Sequence, residues 1–478
     1  MKITLVEAMK SSLVGKNIKT ILLDMGDLME PIGICSIGAV LEKNGYEVQI
    51  VHQIDEDNSQ IINKIIKFNP DIVGFSVFLA NQSNSIFLAT ELKKRSVKEL
   101  KIIFGNVEPS INPDLVENRV VDFVVIGEGE KTMLELVKSV EQQLISYDTI
   151  AGIAYFSKEK VIVTKPRERM TEEELAVLPF PLRDQLPMDK YKVVYLSYPS
   201  IEQQRFASIN TSRGCIHNCS FCTSPVVWQR KRNLFPVGKV IKEIRYLKKN
   251  YGVNYLFVRD ENFTTDRDNA LEICDALIKN KIDINWYVLV RVDEIDAELL
   301  EKMSRAGCTS VMFGVETGTE ASLKKMSKGI HIKQIIDAFE LCDKYHIFAH
   351  ALLMLGFPWE NNKVLQQTYS FVESIKFDRL RIAFATPFKH TRYYEDVMRD
   401  GLLEQEYRDF DTFEPVVKTG IPKRELIEWK NRFYNLQTKP KYILHVLDKI
   451  KRYPEFLDSY IDWLKTLQDG FQFKIKND

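Results

Sequence analysis

Cys215-Ile216-His217-Asn218-Cys219-Ser220-Phe221-Cys222 follows a strand-like run, Phe206–Thr211, and a Ser212-Arg213-Gly214 turn. Three thiols at i, i+4 and i+7 of one loop can converge on one metal centre, and soft sulfur donors favour an iron–sulfur cluster or zinc. Structural zinc sites and ordinary iron–sulfur cubanes take four protein ligands. Three in one loop leave two readings: a distant fourth ligand from Cys274, Cys308, Cys342 or a His, or an iron left open.

Downstream of the loop, short apolar runs alternate with amphipathic stretches, the pattern of a parallel sheet wrapped by helices. Strands are expected near Phe206–Thr211, Tyr255–Arg259, Asn285–Arg291, Ser310–Val315, Phe348–Leu355 and Arg381–Ala385. Six strand–helix units are fewer than the eight of a closed barrel, and active residues belong at the C-terminal strand ends. Polar residues and turns stand there: Asp260 and Glu261, Arg291 and Asp293, Glu316, Gly356-Phe357-Pro358, and Thr386-Pro387-Phe388. Acids at strand ends also commonly cap a helix or pair with an Arg. His350, His390 and Trp228-Gln229-Arg230-Lys231-Arg232 could touch a substrate, although a core histidine and a solvated basic turn are the plainer readings.

Upstream, residues 1–145 read as a doubly wound α/β domain, with strands at Lys2–Glu7, Glu47–Val51, Ile72–Val77, Lys101–Phe104 and Phe123–Ile126. A ligand of such a sheet binds outside the C-terminal strand ends. The loops there contain Pro31-Ile32-Gly33, Ser76-Val77-Phe78, Gly105-Asn106-Val107 and Gly127-Glu128-Gly129. No Gly-x-Gly-x-x-Gly follows the first strand, which argues against a dinucleotide. Residues 146–200 read as a linker with a hairpin and a Pro-rich passage, 201–392 as a partial barrel, and 393–478 as a C-terminal helical domain with patterns at Leu426–Tyr434, Tyr442–Arg452 and Phe456–Asp469.

The 478 residues are 45% hydrophobic, enough for two or three cores. Lys+Arg and Asp+Glu both number 66, so no global field recruits nucleic acid or an anionic membrane. The N-terminus reads as a strand rather than an export signal, no apolar run is long enough to span a bilayer, and seven cysteines are too few for a disulfide framework. A reducing cytoplasm is the expected location.

The Cys-x3-Cys-x2-Cys loop with Phe221 before its last Cys resembles the cluster loop of the radical SAM superfamily. The N-terminal Pro31-x-Gly33, Ile72-Val73-Gly74-Phe75-Ser76, Gly105 turn and Gly127-Glu128-Gly129-Glu130 resemble the cobalamin-binding domain that precedes the barrel in cobalamin-dependent members. The resemblance implies an N-terminal Rossmann-like cobalamin-binding domain, a partial (β/α)6 barrel and a helical cap that selects substrate. It implies a [4Fe–4S] cluster on Cys215, Cys219 and Cys222, with the open iron chelating S-adenosylmethionine (SAM). Phe221, Asp260, Glu261, Arg291, Glu316, Gly356 and Pro358 are the implied SAM contacts. Pro31, Gly33, Ser76, Phe78, Gly105, Asn106, Val107, Gly127, Glu128 and Gly129 are the implied cobalamin contacts. The chain departs from the family in lacking Asp-x-His-x-x-Gly, and in carrying Gly105-Asn106-Val107-Glu108 where Gly-Gly-Pro-His is usual. Reductive cleavage of SAM to a 5′-deoxyadenosyl radical is then the expected chemistry, with a flavodoxin or ferredoxin as electron donor. The first reading is a cobalamin-dependent C-methyltransferase on a small metabolite or peptide. The second is radical cyclisation, rearrangement or carbon–carbon bond formation without methyl transfer, and the third a non-catalytic zinc- or cobalamin-binding regulator.

Overall fold

The computed structural model describes residues 1–25, 27–144, 146–193, 203–452, 454, 457–458 and 460–461. They fall into two compact units, Met1–Ile21 with Glu30–Lys190 and Tyr407–Asp411, and Leu22–Met29 with Tyr191–Glu406 and Thr412–Asp478.

In the first unit, β1 (Lys2–Glu7) is followed by β2 (Asp27–Leu28), a two-residue strand counted in the second unit. Then come β3 (Glu47–His52), β4 (Ile72–Ser76), β5 (Lys101–Gly105), β6 (Phe123–Val125), β7 (Ile153–Ser157) and β8 (Lys160–Val163). The sheet order is β3-β1-β4-β5-β6-β7-β8, parallel from β3 through β6. The central β4 is buried at every position, as a strand covered on both faces must be. Helices Ile32–Lys43, Asn58–Phe68, Gln82–Arg95 and Gly129–Glu141 supply the cover. Strand order reverses between β1 and β4, and a doubly wound sheet opens its ligand crevice at such a reversal. One expectation changes here. The hairpin in the supposed linker is β7 and β8, which extend this sheet antiparallel.

In the second unit β2 pairs with β9 (Lys192–Val193). The six-stranded parallel sheet runs β10 (Phe206–Ile209), then β13 (Tyr255–Val258), β14 (Asn285–Val290), β15 (Cys308–Glu316), β16 (Phe348–Leu355) and β17 (Arg379–Phe384), in chain order. The ribbon of β11 (Ser212–Arg213) and β12 (Asn233–Leu234) stands beside it. Tyr287 stacks on Tyr255 and on Phe257, the latter at 4.5 Å and 8°, and Phe206 packs tilted against Tyr255 at 6.2 Å. The barrel interior is therefore packed below its mouth.

Beyond residue 392 the expected separate helical domain belongs to the barrel's own unit, apart from Tyr407–Asp411. Its helix Pro440–Arg452 sits at the N-terminal end of the strands rather than over the mouth. Lys449 there donates to the Asp378 carboxylate at 2.5 Å and to the Ile347 carbonyl at 3.1 Å, and Tyr442 donates to the Asp378 carbonyl. Helix Lys423–Tyr434 and its approach instead cover the edge of β17. The Leu380, Ile382 and Phe384 amides donate to Gln437 Oε1 at 2.9 Å, Tyr434 Oη at 3.2 Å and the Thr412 carbonyl at 2.7 Å. Most of the expected Phe456–Asp469 helix lies outside the described residues.

Candidate active site at the mouth of the barrel

The cluster loop is tied down on every side. Asp260, buried at the end of β13, accepts from both the amide and the hydroxyl of Thr211 (2.8 and 2.6 Å) and of Ser212 (3.0 and 2.5 Å). Arg232 stands 3.6 Å from the same carboxylate. Glu261 accepts from the Gly214 amide at 3.0 Å. Arg230 Nε donates to the Ile216 carbonyl at 3.2 Å, and Arg392 to the Asn218 carbonyl at 3.0 Å. Ser220 donates its amide to the Met326 carbonyl at 2.9 Å and accepts from the Tyr393 amide through its own carbonyl at 3.0 Å. The basic turn thus braces the loop, where sequence reading offered substrate contact or solvation. Asp260 and Glu261, the expected SAM contacts, likewise accept hydrogen bonds from the loop backbone.

Cys215, Cys219 and Cys222 are each partly buried, and neighbouring thiols help to raise the pKa of Cys215 and Cys222. Burial is the larger effect and pushes the Cys222 thiol up to about 12. Such thiols become thiolates only on a cation, the donor set an iron cluster asks for. Among the described residues no three His, Cys, Asp or Glu side chains lie close enough to share one metal ion. The proposed fourth zinc ligands are elsewhere: Cys274 and Cys342 are buried on helices, and Cys308 opens β15 at the far end of the barrel. His217 in the loop is bound to Glu294 at 2.6 Å. The loop suits a cluster with an open iron better than a zinc knuckle.

Three charged residues that the sequence did not single out complete the site. Glu294 accepts from His217, from Asn262 at 2.6 Å and from Thr264 at 3.1 Å; burial opposes its charge, but these bonds outweigh it and hold the carboxyl below its usual range. Lys328 donates to Glu316 at 2.7 Å, with both side chains nearly buried. Burial alone would lower the Lys328 ammonium, yet Glu316 outweighs it and the pKa is raised. Glu316 reaches this position because the β15–β16 register shifts between Gly314 and Glu316, and Glu316 takes φ +62°. Arg291 holds Asp293 with two bonds (2.9 and 3.0 Å) and donates to the Lys328 carbonyl at 2.9 Å.

The third newcomer is Glu360. Its Oε2 accepts from the Gly356 and Phe357 amides at 2.7 and 3.1 Å, fixing the turn in which Gly356 has φ +88° and which Pro358 continues. Burial pushes this carboxyl up to about 7. Phe357 packs on Phe221 at 6.2 Å, on Trp359 at 4.6 Å and on Tyr393 at 5.0 Å, so an aromatic wall joins the turn to the cluster loop. Phe221, Arg291, Glu316 and Gly356 are thus brought to one mouth. His350 is a buried core histidine on β16, lowered to about 3 by burial, and His390 is exposed on a loop.

In the first unit most of the expected cobalamin contacts lie at or just after the ends of β4, β5 and β6, while Pro31 and Gly33 stand at the start of helix Ile32–Lys43. Ser76 donates to Glu7 at 2.7 Å, and Asn106 donates to Ser76 Oγ at 2.8 Å. Ser110 donates to the Asn106 carbonyl at 2.6 Å and accepts from the Gly127 amide at 3.0 Å. A side chain at Gly33 or Gly127 would meet nothing, and Phe78 is 37% exposed, so open backbone and an apolar face suit a corrinoid. Asn106 stands at φ 92°, ψ −162°, a region that only glycine adopts freely, and binds the Val107 amide with its own side chain. Three of the expected contacts also take part in holding the fold. Glu128 accepts from the Met170 amide, a Cβ on Gly129 would meet Ile37 at 2.6 Å, and the Pro31 carbonyl accepts from Cys35 at the start of its helix.

Comparison with known proteins agrees with both units. A sequence model of the radical SAM superfamily matches residues 209–372, and one of the B12 binding domain matches residues 18–137. An uncharacterized methyltransferase of Pyrococcus horikoshii is 29% identical over 88% of this chain and 90% of its own length. The anaerobic magnesium-protoporphyrin IX monomethyl ester cyclase of Rubrivivax gelatinosus is 28% identical over 83% of this chain and 72% of its own. The solved structure of the radical SAM methyltransferase TsrM from Kitasatospora setae, with cobalamin and a [4Fe–4S] cluster bound, shares the fold. Its TM-score is 0.66 at 16% identity, covering 84% of this chain and 75% of that one. Fold, loop and matches define an enzyme that couples a radical barrel to a corrinoid domain. The chain thus carries a B12-binding domain followed by a radical SAM domain, the pairing of cobalamin-dependent radical SAM enzymes, and these domains imply a [4Fe–4S] cluster, SAM and cobalamin as cofactors.

Proposed function

We propose that this enzyme is a C-methyltransferase acting on a small metabolite or peptide in the cytoplasm, with a flavodoxin or ferredoxin as reductant. The observation that carries the radical chemistry is a three-thiol loop, braced by hydrogen bonds to Asp260, Glu261, Arg230, Arg392, Met326 and Tyr393, at the mouth of an open six-stranded barrel. Methyl transfer is supported by the names of relatives. When bound, the cofactors supply one-electron cleavage of SAM to a 5′-deoxyadenosyl radical and a cobalt-borne methyl group.

The chain's own residues would do the rest. Cys215, Cys219 and Cys222 would hold three irons, and their backbone ties keep the loop from rearranging. Glu316 and Lys328 pair a carboxylate with an ammonium at 2.7 Å, complementary to the amino and carboxylate groups of SAM. Phe221, Phe357 and Trp359 form an apolar wall that excludes water from a radical. Ser76, Phe78, Gly105, Asn106, Val107 and Gly127 would receive the corrinoid, with Gly33 leaving its edge open.

Anaerobic reconstitution with iron, sulfide and hydroxocobalamin tests the assignment. About four irons and a retained corrinoid band are expected. Cys215→Ala, Cys219→Ala and Cys222→Ala should each lose the cluster and SAM cleavage, and cleavage surviving in any one of them would overturn it. The cyclase relative favours a second reading, radical bond formation without methyl transfer. Methyl-labelled SAM separates the two: label arriving on cobalamin and then on a product supports the methyltransferase.

A further inference from the structure

Glu360 is 2% exposed, and its Oε1 has no hydrogen-bond partner. Other buried carboxylates of its unit have cations: Asp260 has Arg232, Glu316 has Lys328 and Asp378 has Lys449. Glu360 has none. From helix Arg392–Arg399 the Tyr393 phenol faces it, itself buried with an unpartnered hydroxyl, and the two groups interact electrostatically. From helix Glu320–Lys325, Lys325 lies over the neighbouring Trp359 ring at 5.4 Å and makes no ion pair with the carboxylate. From helix Lys423–Tyr434, Lys430 is over Phe384 and Phe413. A buried carboxylate with two backbone bonds and no counter-ion is expensive to ionise. The turn it holds abuts the cluster loop through Phe357 and Phe221.

We propose that Glu360 is a positioning residue for SAM and that its counter-ion is the sulfonium of the ligand itself. This deepens the SAM-binding reading of the Gly356–Pro358 turn and rests on it. The carboxylate form accepts the Gly356 and Phe357 amides more strongly than the acid does. A fixed positive charge entering this low-dielectric mouth stabilises that form over several ångströms. Binding then releases the proton of Glu360 to solvent, and the turn tightens as the ligand arrives. S-adenosylhomocysteine has the same adenosine and amino acid with a neutral sulfur, so it lacks the charge that drives the change.

The experiment is equilibrium dialysis of SAM and S-adenosylhomocysteine against the anaerobically reconstituted full-length enzyme between about pH 6 and about pH 8. In the wild type the preference for SAM should rise about tenfold over that range, following the ionised fraction of one carboxyl. Tyr393→Phe, which keeps the charge, should show the same rise. Glu360→Gln keeps an acceptor for both amides and should give a flat preference at unchanged iron content. A flat wild-type preference, or an equal rise in Glu360→Gln, would overturn the inference while leaving SAM binding intact. Failure of the reconstituted wild type to bind either nucleoside would overturn the SAM reading and this inference with it.

Discussion

A Cβ placed on Gly314 would lie 2.5 Å from both Glu316 Oε1 and Lys328 Nζ. Glycine there is the condition for that ion pair to cross the barrel mouth. Gly314→Ala should leave the fold intact, because only flexible side-chain ends must move, yet weaken SAM binding about 10–100-fold as the pair is displaced. Dialysis alongside circular dichroism would separate the two effects. Glu360 gives a stability signature independent of ligand. Its folded pKa of about 7 is raised above the ordinary 4.5, so the folded state binds the extra proton and loses stability as pH rises between those values. Glu360→Gln has no such loss. Its melting temperature should gain on the wild type between about pH 5 and about pH 8, and parallel curves would contradict the burial argument. Glu316 and Arg291 stand out in the sequence because both close strands. Asp260 stands out for the same reason, and its bonds to the loop backbone could not be read there, because a strand-end acid looks alike whether it faces a cofactor or a loop. Lys328, Glu294 and Glu360 were not legible, since each gains its role from partners fixed only by the fold or by a turn folding back on itself.

At the level of elements the strand–helix alternation was legible nearly residue for residue, because buried parallel strands are continuous apolar runs bounded by turns. The bulge that turns Glu316 inward was not, since a register shift is a property of two strands. The edge of β17 is a second such case. Gln437 reaches across 57 residues to accept the Leu380 amide. Gln437→Ala should leave that amide without an acceptor and speed its hydrogen exchange about tenfold or more, while amides inside the β15–β16 pairing stay protected. Uniform loosening of the whole sheet would instead mean that the edge and the interior open together.

For the whole molecule the order of the domains was readable, while the path of the chain was not. Leu22–Met29 and Tyr407–Asp411 each belong to the unit opposite their sequence neighbours, an exchange no local pattern announces. The C-terminal segment is expected as one cap, and its described residues are divided: helix Arg392–Arg399 stands at the mouth, helix Lys423–Tyr434 at the edge of β17 and helix Pro440–Arg452 at the N-terminal end of the strands. That division bears on how such an enzyme can change. Six strands leave a row of amides that a seventh strand would otherwise satisfy, and an open row of that kind recruits other chains. Here each amide is met separately, one by an amide side chain, one by a phenol and one by a distant carbonyl. A replacement strand would have fixed the register along its whole length; separate acceptors leave the residues between them free to vary. New specificities can therefore be tried along that flank one side chain at a time, without the sheet sticking to its neighbours in the cell.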